Sequence, residues 1–290
     1  MRHVVRRVLP AIASAIVTMG CAPAAAPAGC FAPGTELPDR AAVLAAPGIG
    51  ESARTLVDAL FESDVNEVRA LLAGDPALSR LRLGGGGDVL SLAVASCKRE
   101  IVDAALAAGV PLDGEGKGLP LILALRARDP WFARRLLEAG AQPNPPGAPS
   151  VPMRTAIGLN APGAVAMLLD AGADPNRAER TGTRPLHTAL DMERFRIAEL
   201  LLDRGADPWA IDAGGANLAT SVATPMLTKD RDEATAQRRL AERVHRLGWP
   251  EPAPDPRTIR RLALEGSWPP GGKGAPVPEA VLKLIRERAR

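Results

Sequence analysis

The stretch TRPLHTALDMERFRIAELLLDRGADP, residues 183–208, decides the fold of this chain. Pro185 opens a short helical pattern, and proline suits the first turn of a helix because its missing N–H would have no partner there. A second pattern follows, with apolar residues at helical spacing across 197–202. Gly205 closes it, as glycine does where a helix ends in a left-handed residue. The stretch therefore predicts two short helices joined by a tight turn.

The same frame recurs upstream in the chain. Residues 151–176 (VPMRTAIGLNAPGAVAMLLDAGADPN) and 119–144 (LPLILALRARDPWFARRLLEAGAQPN) keep the same interval from the opening proline to the closing glycine. Two weaker copies, at 89–113 and 55–77, have Val89 and Thr55 in the place of the proline. One such unit buries too little surface to fold alone, so the pattern predicts a stack of helix pairs.

This frame resembles the ankyrin repeat family, whose unit runs G-x-T-P-L-H-x-A-A, a turn, V-V-x-L-L-L and then G-A-D. Residues 182–207 carry the most specific part of the resemblance, which covers about 50–212, although Arg184 stands where the family has threonine. The matching positions are Gly182, Pro185, Leu186, His187, Ala189, Ile197, Leu200, Leu201, Leu202, Gly205, Ala206 and Asp207. The resemblance implies that His187 links neighbouring loops by hydrogen bonds and has no catalytic role.

The predicted fold is therefore all-α, an ankyrin-like solenoid of five to six helix-turn-helix units with a helical C-terminal cap. The expected divisions are a signal peptide at 1–20, an Ala/Pro-rich tether at 21–50, repeats at 51–83, 84–114, 115–146, 147–179 and 180–212, a degenerate sixth repeat with an insertion at 213–250, and the cap at 251–290.

Composition agrees with an all-α chain and narrows the function. The chain has no tyrosine, four phenylalanines and four tryptophans, so its core must be built from alanine, leucine and valine. Its formal charge of +3 comes from Arg2, Arg6 and Arg7, and the rest of the chain sums to zero. Nucleic-acid binding needs concentrated basic charge, so it is not expected. Scattered carboxylates and three histidines predict no catalytic centre, no metal site and no cofactor.

The N-terminal 30 residues, MRHVVRRVLPAIASAIVTMGCAPAAAPAGC, have a basic start followed by an apolar run, which predicts an export signal. Gly20-Cys21 resembles a lipoprotein cleavage and lipidation site, and cleavage after Ala24 or Ala28 is the alternative. Both predict a periplasmic protein. Lipidation of Cys21 would add an outer-membrane anchor, the one membrane contact expected.

Two further cysteines, Cys30 and Cys97, would then lie in an oxidising compartment. A disulfide between them is one interpretation. The other leaves both unpaired, with Cys30 in a mobile tether and Cys97 in an exposed turn.

Partners of the family usually dock on the concave side, formed by loop tips and by outward positions late in each first helix. The candidate partner-binding residues at these places are Phe61, Glu62, Arg126, Leu159, Arg180, Asp191 and Met192. Phe61, Leu159 and Met192 are apolar where packing should not require it, which suggests protein contact, although they could instead shield neighbouring side chains.

The sequence thus predicts a monomeric, non-enzymatic protein-binding module of the bacterial envelope, either an immunity protein or an accessory to a stress-defence enzyme. Two alternatives remain, an enzyme whose site is built by residues 213–250 and an architectural envelope tether.

Overall fold

The structure is a computed structural model that describes residues 29–114 and 116–288. Over these residues the chain forms α-helices and short 3-10 helices, with only isolated β-bridges. The α-helices are α1 (Arg40–Leu44), α2 (Glu51–Glu62), α3 (Val65–Gly74), α4 (Val89–Ala95), α5 (Arg99–Ala107), α6 (Leu119–Arg126), α7 (Trp131–Glu138), α8 (Val151–Gly158), α9 (Pro162–Asp170), α10 (Pro185–Asp191), α11 (Phe195–Asp203), α12 (Leu218–Ala223), α13 (Arg231–Leu247), α14 (Pro256–Leu264) and α15 (Glu279–Arg288). The prediction of an all-α repeat solenoid is confirmed.

Helices α2 to α13 form six consecutive pairs, which we call units 1 to 6. The first helices of successive units contact one another in an unbroken series from α2 to α12. We call the exposed side of these first helices the inner face. Each unit thus covers the apolar surface of the one before it.

The core repeats with the units. Leu136, Leu168 and Leu201 lie at equivalent positions of α7, α9 and α11, and all three are fully buried, as predicted. The first helices carry a small buried residue at equivalent positions. These buried residues are Ala59, Ala93, Ala124, Ala156 and Ala189.

Helix ends follow the proline and glycine signals. Pro185 is the first residue of α10, and Pro120 and Pro152 are the second residues of α6 and α8. Gly205, after α11, has φ of 89°, and the closing glycines of units 2, 3 and 4 are also left-handed. Unit 1 has Asp75 instead, which stays extended with φ of −136° and caps a 3-10 helix at Pro76–Arg80. A non-glycine residue avoids the left-handed region, so unit 1 ends differently.

The sixth unit is fixed to the fifth by a buried carboxylate. Glu233, in the first turn of α13, accepts hydrogen bonds from the backbone N–H (2.9 Å) and Nε (3.1 Å) of Arg196, near the start of α11. Its side chain is almost fully buried. A buried carboxylate without such donors would be strongly destabilising, so the pair sets how α13 meets α11.

The C-terminal helices fold back over the last units. The rings of Trp209 and Trp249 stack with centroids 4.7 Å apart, and Trp268 Nε1 donates to the Trp209 carbonyl at 3.1 Å. Val281 of α15 packs against Gly182, where an added Cβ would lie only 2.6 Å from the valine Cγ2. Helix α15 therefore covers the end of the loop before unit 5 at Gly182, while Arg177 and Arg180 of the same loop stay exposed.

Residues 29–50, expected to be a tether, are instead folded against units 1 to 3, and we call them the N-terminal strap. Cys30 and Cys97 form a disulfide, with their Cα atoms 6.5 Å apart, so the unpaired alternative does not hold. The Ala32 N–H donates to the Arg126 carbonyl at 2.8 Å, and the Arg128 N–H donates to the Cys30 carbonyl at 2.8 Å. These hydrogen bonds join backbone groups, so the Ala/Pro-rich composition of the segment gives no sign of them.

The far end of the strap lies against unit 1. Arg40, at the start of α1, forms an ion pair with Asp58 of α2, and its Nη2 is 4.0 Å from Glu62 Oε1. Val43 of α1 is buried, and α1 packs on the 3-10 turn at Gly84–Gly86. The strap thus runs from unit 3 back to unit 1.

The predicted signal peptide and Cys21 lie outside the described residues. Within the described part of the chain, no helix combines the length and the apolar character that crossing a membrane requires.

Replacing Leu201 by alanine should lower the free energy of unfolding by about 2–5 kcal/mol, because Leu201 is fully buried between units. Urea unfolding followed by circular dichroism measures this. Leu227→Ala is the matched control: Leu227 is 93% exposed, and its loss should change little. Equal effects of the two substitutions would contradict the assigned core.

Reducing the Cys30–Cys97 disulfide should lower the free energy of unfolding by about 2–4 kcal/mol, because the bond closes a long loop and restricts the unfolded chain. Urea unfolding with and without a dithiol reductant tests this. The double variant Cys30→Ser/Cys97→Ser should already show the loss and should not respond to reductant. An unchanged unfolding midpoint after reduction would show that the bond contributes nothing.

Candidate functional site

The predicted partner residues fall into two groups on the inner face. Phe61, Glu62 and Arg126 lie in the region of the strap. Phe61 is half-buried and packs on the core, Glu62 lies beside Arg40, and the Arg126 carbonyl is bonded to Ala32. The strap therefore lies beside Glu62 and is bonded to the backbone of Arg126, at two positions that the sequence had assigned to a partner.

The second group lies beyond the strap, where the first helices of units 4 and 5 end. Met192 is 45% exposed, and its Cε lies 4.0 Å from the point where Gly158 would carry a Cβ. Leu159 is half-buried at the end of α8, and Asp191 is exposed. Gly158 thus leaves room for the methionine to lie across the junction of two units.

The most exposed large apolar side chain of the described residues, Leu227, was missed from the sequence. It is 93% exposed in the loop between α12 and α13. Glu193, next to Met192, accepts hydrogen bonds from the N–H groups of Leu227 (2.5 Å) and Thr228 (2.9 Å). The extra length between the helices of unit 6 was visible in the sequence, but the carboxylate that fixes the loop was not.

Both ends of this loop are also held. The Thr224 carbonyl accepts a hydrogen bond from Gln237 Nε2 at 2.7 Å. Asp230 caps α13, because its side chain accepts hydrogen bonds from backbone N–H groups of the first turn. Hydrogen bonds to the charged form of Glu193 lower the pKa of its carboxyl, so the acceptor stays ionised. The loop thus presents Leu227 to solvent on a fixed backbone.

A basic cleft lies at the opposite end of units 4 and 5. Arg154, Arg177 and Arg180 line a cavity of about 360 Å³, together with the hydroxyl-bearing residues Ser150 and Thr181. Arg154 is paired with Glu179 at 2.8 Å. Arg180 had been predicted, whereas Arg177, in the same loop, was missed.

His187 is buried and connects unit 5 to the following loop. Its Nδ1 accepts from the Arg184 N–H at 3.0 Å, so its Nε2 carries the proton and donates to the Ala210 carbonyl at 3.1 Å. Burial lowers the pKa of the imidazole, and this outweighs the opposing effect of the Ala210 hydrogen bond. The ring is therefore held neutral in the bridging role that the resemblance implied.

A protein-family model described as Ankyrin repeat matches residues 181–213, the segment that contains this histidine bridge and the buried core of unit 5. The chain therefore contains an ankyrin repeat at these residues. A search of curated proteins finds no match to the chain. The repeat supports a role as a protein–protein interaction module.

Two histidines and one buried carboxylate of this ankyrin repeat protein each have their own partners. His187 is enclosed, and His245 is exposed and pairs with Glu251 at 2.7 Å. Glu233, the buried carboxylate of the long sixth unit, forms an ion pair with Arg196. In residues 29–114 and 116–288, no group of three or more His, Cys, Asp or Glu side chains could hold a metal ion.

Partial desolvation raises the pKa of the Asp191 carboxyl, although the residue as a whole is exposed, while the nearby His187 acts in the opposite direction. Asp191 lies between Met192 and the buried imidazole along α10. It therefore places an acidic group at the apolar end of the inner face.

The ankyrin protein should lose stability as the pH falls below about 6.5, the ordinary pKa of histidine. Because the folded state lowers the pKa of His187, the unfolded chain binds the proton more readily and is favoured in acid. Urea unfolding at several pH values should show this slope, and His187→Gln should reduce it. His245→Gln, which removes an exposed imidazole, is the control. A slope that follows His245 instead would contradict the assignment.

Proposed function

We propose that this ankyrin repeat protein is a non-enzymatic binding module whose partner docks on the inner face of units 4 to 6, which we call the free face. Its borders are the strap, held on units 1 to 3, and α15, packed against the loop before unit 5. Phe61, Glu62 and Arg126 therefore leave the proposed site, while Leu159, Arg180, Asp191 and Met192 remain in it.

One observation carries the proposal: Met192 and Leu227 are both exposed, and Glu193 links the backbone segments that carry them. Glu193 follows Met192 in the chain and binds the backbone of Leu227, so the two apolar side chains share one local scaffold. A single exposed leucine needs no explanation, but two large apolar side chains held in this way resemble the anchors that dominate protein interfaces. A scaffold that is already ordered also loses little entropy on binding.

We further propose that the partner is met in the bacterial envelope, where the protein serves as an immunity protein or inhibitor, or assists a stress-defence enzyme. The basic start and apolar run of residues 1–20 support export, and a Cys30–Cys97 disulfide suits an oxidising compartment.

Photo-crosslinking in cells tests the binding surface. A photoreactive amino acid at Met192 or Leu159 should give a protein adduct in the envelope fraction, because these positions would lie within the interface. The same amino acid at Glu138, an exposed position on α7, is the matched control and should give no adduct. Mass spectrometry of the adduct identifies the partner.

Adding Leu227→Asp should remove the adduct without changing the circular dichroism, since this leucine makes no core contact. Adducts from Glu138 but not from the free face would contradict the proposal. So would adducts confined to residues 251–288, because binding would then belong to the C-terminal cap.

A further inference from the structure

The free face has a basic end and an apolar end. At the basic end, Arg177 and Arg180 are exposed and line the cleft with Arg154. Within the described residues, Glu179 forms an ion pair with Arg154, and no carboxylate pairs with Arg177 or Arg180. The cleft therefore holds two guanidinium groups whose charge the described chain leaves uncompensated.

Arginine is suited to bind a carboxylate in this setting. Its planar guanidinium donates two parallel hydrogen bonds to the two carboxylate oxygens, and such charge-assisted bonds are stronger than neutral ones. The cleft wall formed by Pro149 and Val151 is apolar, which reduces the competition from water. A carboxylate entering the cleft could also reach the hydroxyl groups of Ser150 and Thr181.

The apolar end is the Met192–Leu227 pair together with Leu159. The same helix, α8, begins at the cleft with Val151 and ends beside Met192 at Gly158. A helix of this length spans about 12 Å, at about 1.5 Å per residue. An extended chain advances about 3.3 Å per residue, so about four residues cover that distance.

The seam between α8 and α10 connects the two ends. Arg154 of α8 and Thr188 of α10 both lie along it. Asp191 stands at the apolar end of the seam, where it would repel an acidic side chain. This charge distribution favours one direction, with the acidic group at the cleft and the apolar group at Met192.

We infer that the free face binds an extended, acidic segment of its protein partner, in which an Asp or Glu lies about four residues from a large apolar side chain. This inference rests on the proposed function and adds the chemistry of the partner. A polyanion such as nucleic acid fits less well, because Glu179 and Asp191 would face its repeating charges.

A displayed library of random peptides, long enough to span both ends, tests the inference without a known partner. Peptides selected on the full-length oxidised protein should be enriched in Asp or Glu at the stated distance from Leu, Ile, Met or Phe. Synthetic copies of the enriched peptides, and copies with Asn or Gln in place of the acid, are then compared by fluorescence anisotropy.

The double variant Arg177→Glu/Arg180→Glu should lower the affinity for the acidic peptides at least about tenfold, because two charge-assisted contacts become repulsive. It should have little effect on the Asn or Gln copies. The matched control is Arg69→Glu/Arg134→Glu, which makes the same change of charge at exposed positions on α3 and α7. This control should leave binding unchanged.

Three outcomes would overturn the inference, and they differ in what they say of the proposed function. Peptides without an acid that still depend on Met192 would leave the free face as a binding surface but remove its acidic specificity. Peptides insensitive to both Met192→Asp and the arginine reversals would overturn both proposals. A dimer in analytical ultracentrifugation that Arg177→Glu/Arg180→Glu dissociates would make a second copy of this chain the occupant.

Discussion

The close contact between successive first helices is the constraint on which the rest of the structure depends. The five equivalent alanines of these helices are 5% exposed or less. Their small side chains let the helices pack closely enough to bury the neighbouring leucines. A larger side chain there would separate the units, and protein interiors tolerate such overpacking poorly. Because each unit buries its apolar surface only against the next, the two ends of the stack stay unsatisfied until something else covers them.

The two ends are covered in different ways. At the C-terminal end, three tryptophans provide the area that alanine-rich units lack, and the Glu233–Arg196 pair fixes the angle of the last unit. At the N-terminal end, the strap lies across units 1 to 3 and is tied by backbone hydrogen bonds and a disulfide. The inner face therefore remains open only on units 4 to 6. The candidate site is confined to these units, whereas the repeat frame alone would extend it over the whole stack.

The sequence was informative where structure is set by local spacing. The interval from proline to glycine predicted units 3 to 5, and the burial of Leu136, Leu168 and Leu201 followed from it. The strap could not be predicted, because its contacts join residues far apart in the chain through backbone groups that any residue possesses. Ala127 shows this: it is extended and pairs with Phe31, whereas the corresponding turns of other units contain a left-handed residue such as Asn160 or Glu193.

The same distinction applies to the candidate site. Met192 and Arg180 were predicted because they occupy fixed positions in the repeat. Leu227 was missed because it lies in a loop whose course depends on a side chain elsewhere, Glu193, and Arg177, in the same loop as Arg180, was also missed.

The disulfide also determines how the molecule would carry mechanical load. Residues 31–96, including all of unit 1, lie inside the covalent loop that Cys30 and Cys97 close. A pull on the chain N-terminal to Cys30 would enter the stack directly at Cys97, between the two helices of unit 2, and unit 1 would bear none of the tension. The segment between the two cysteines, whose sequence separation is 67, would add nothing to the stretched length, so the extended molecule would be shorter by about 230 Å. A protein held at its N-terminus would thus resist force from its second unit onward.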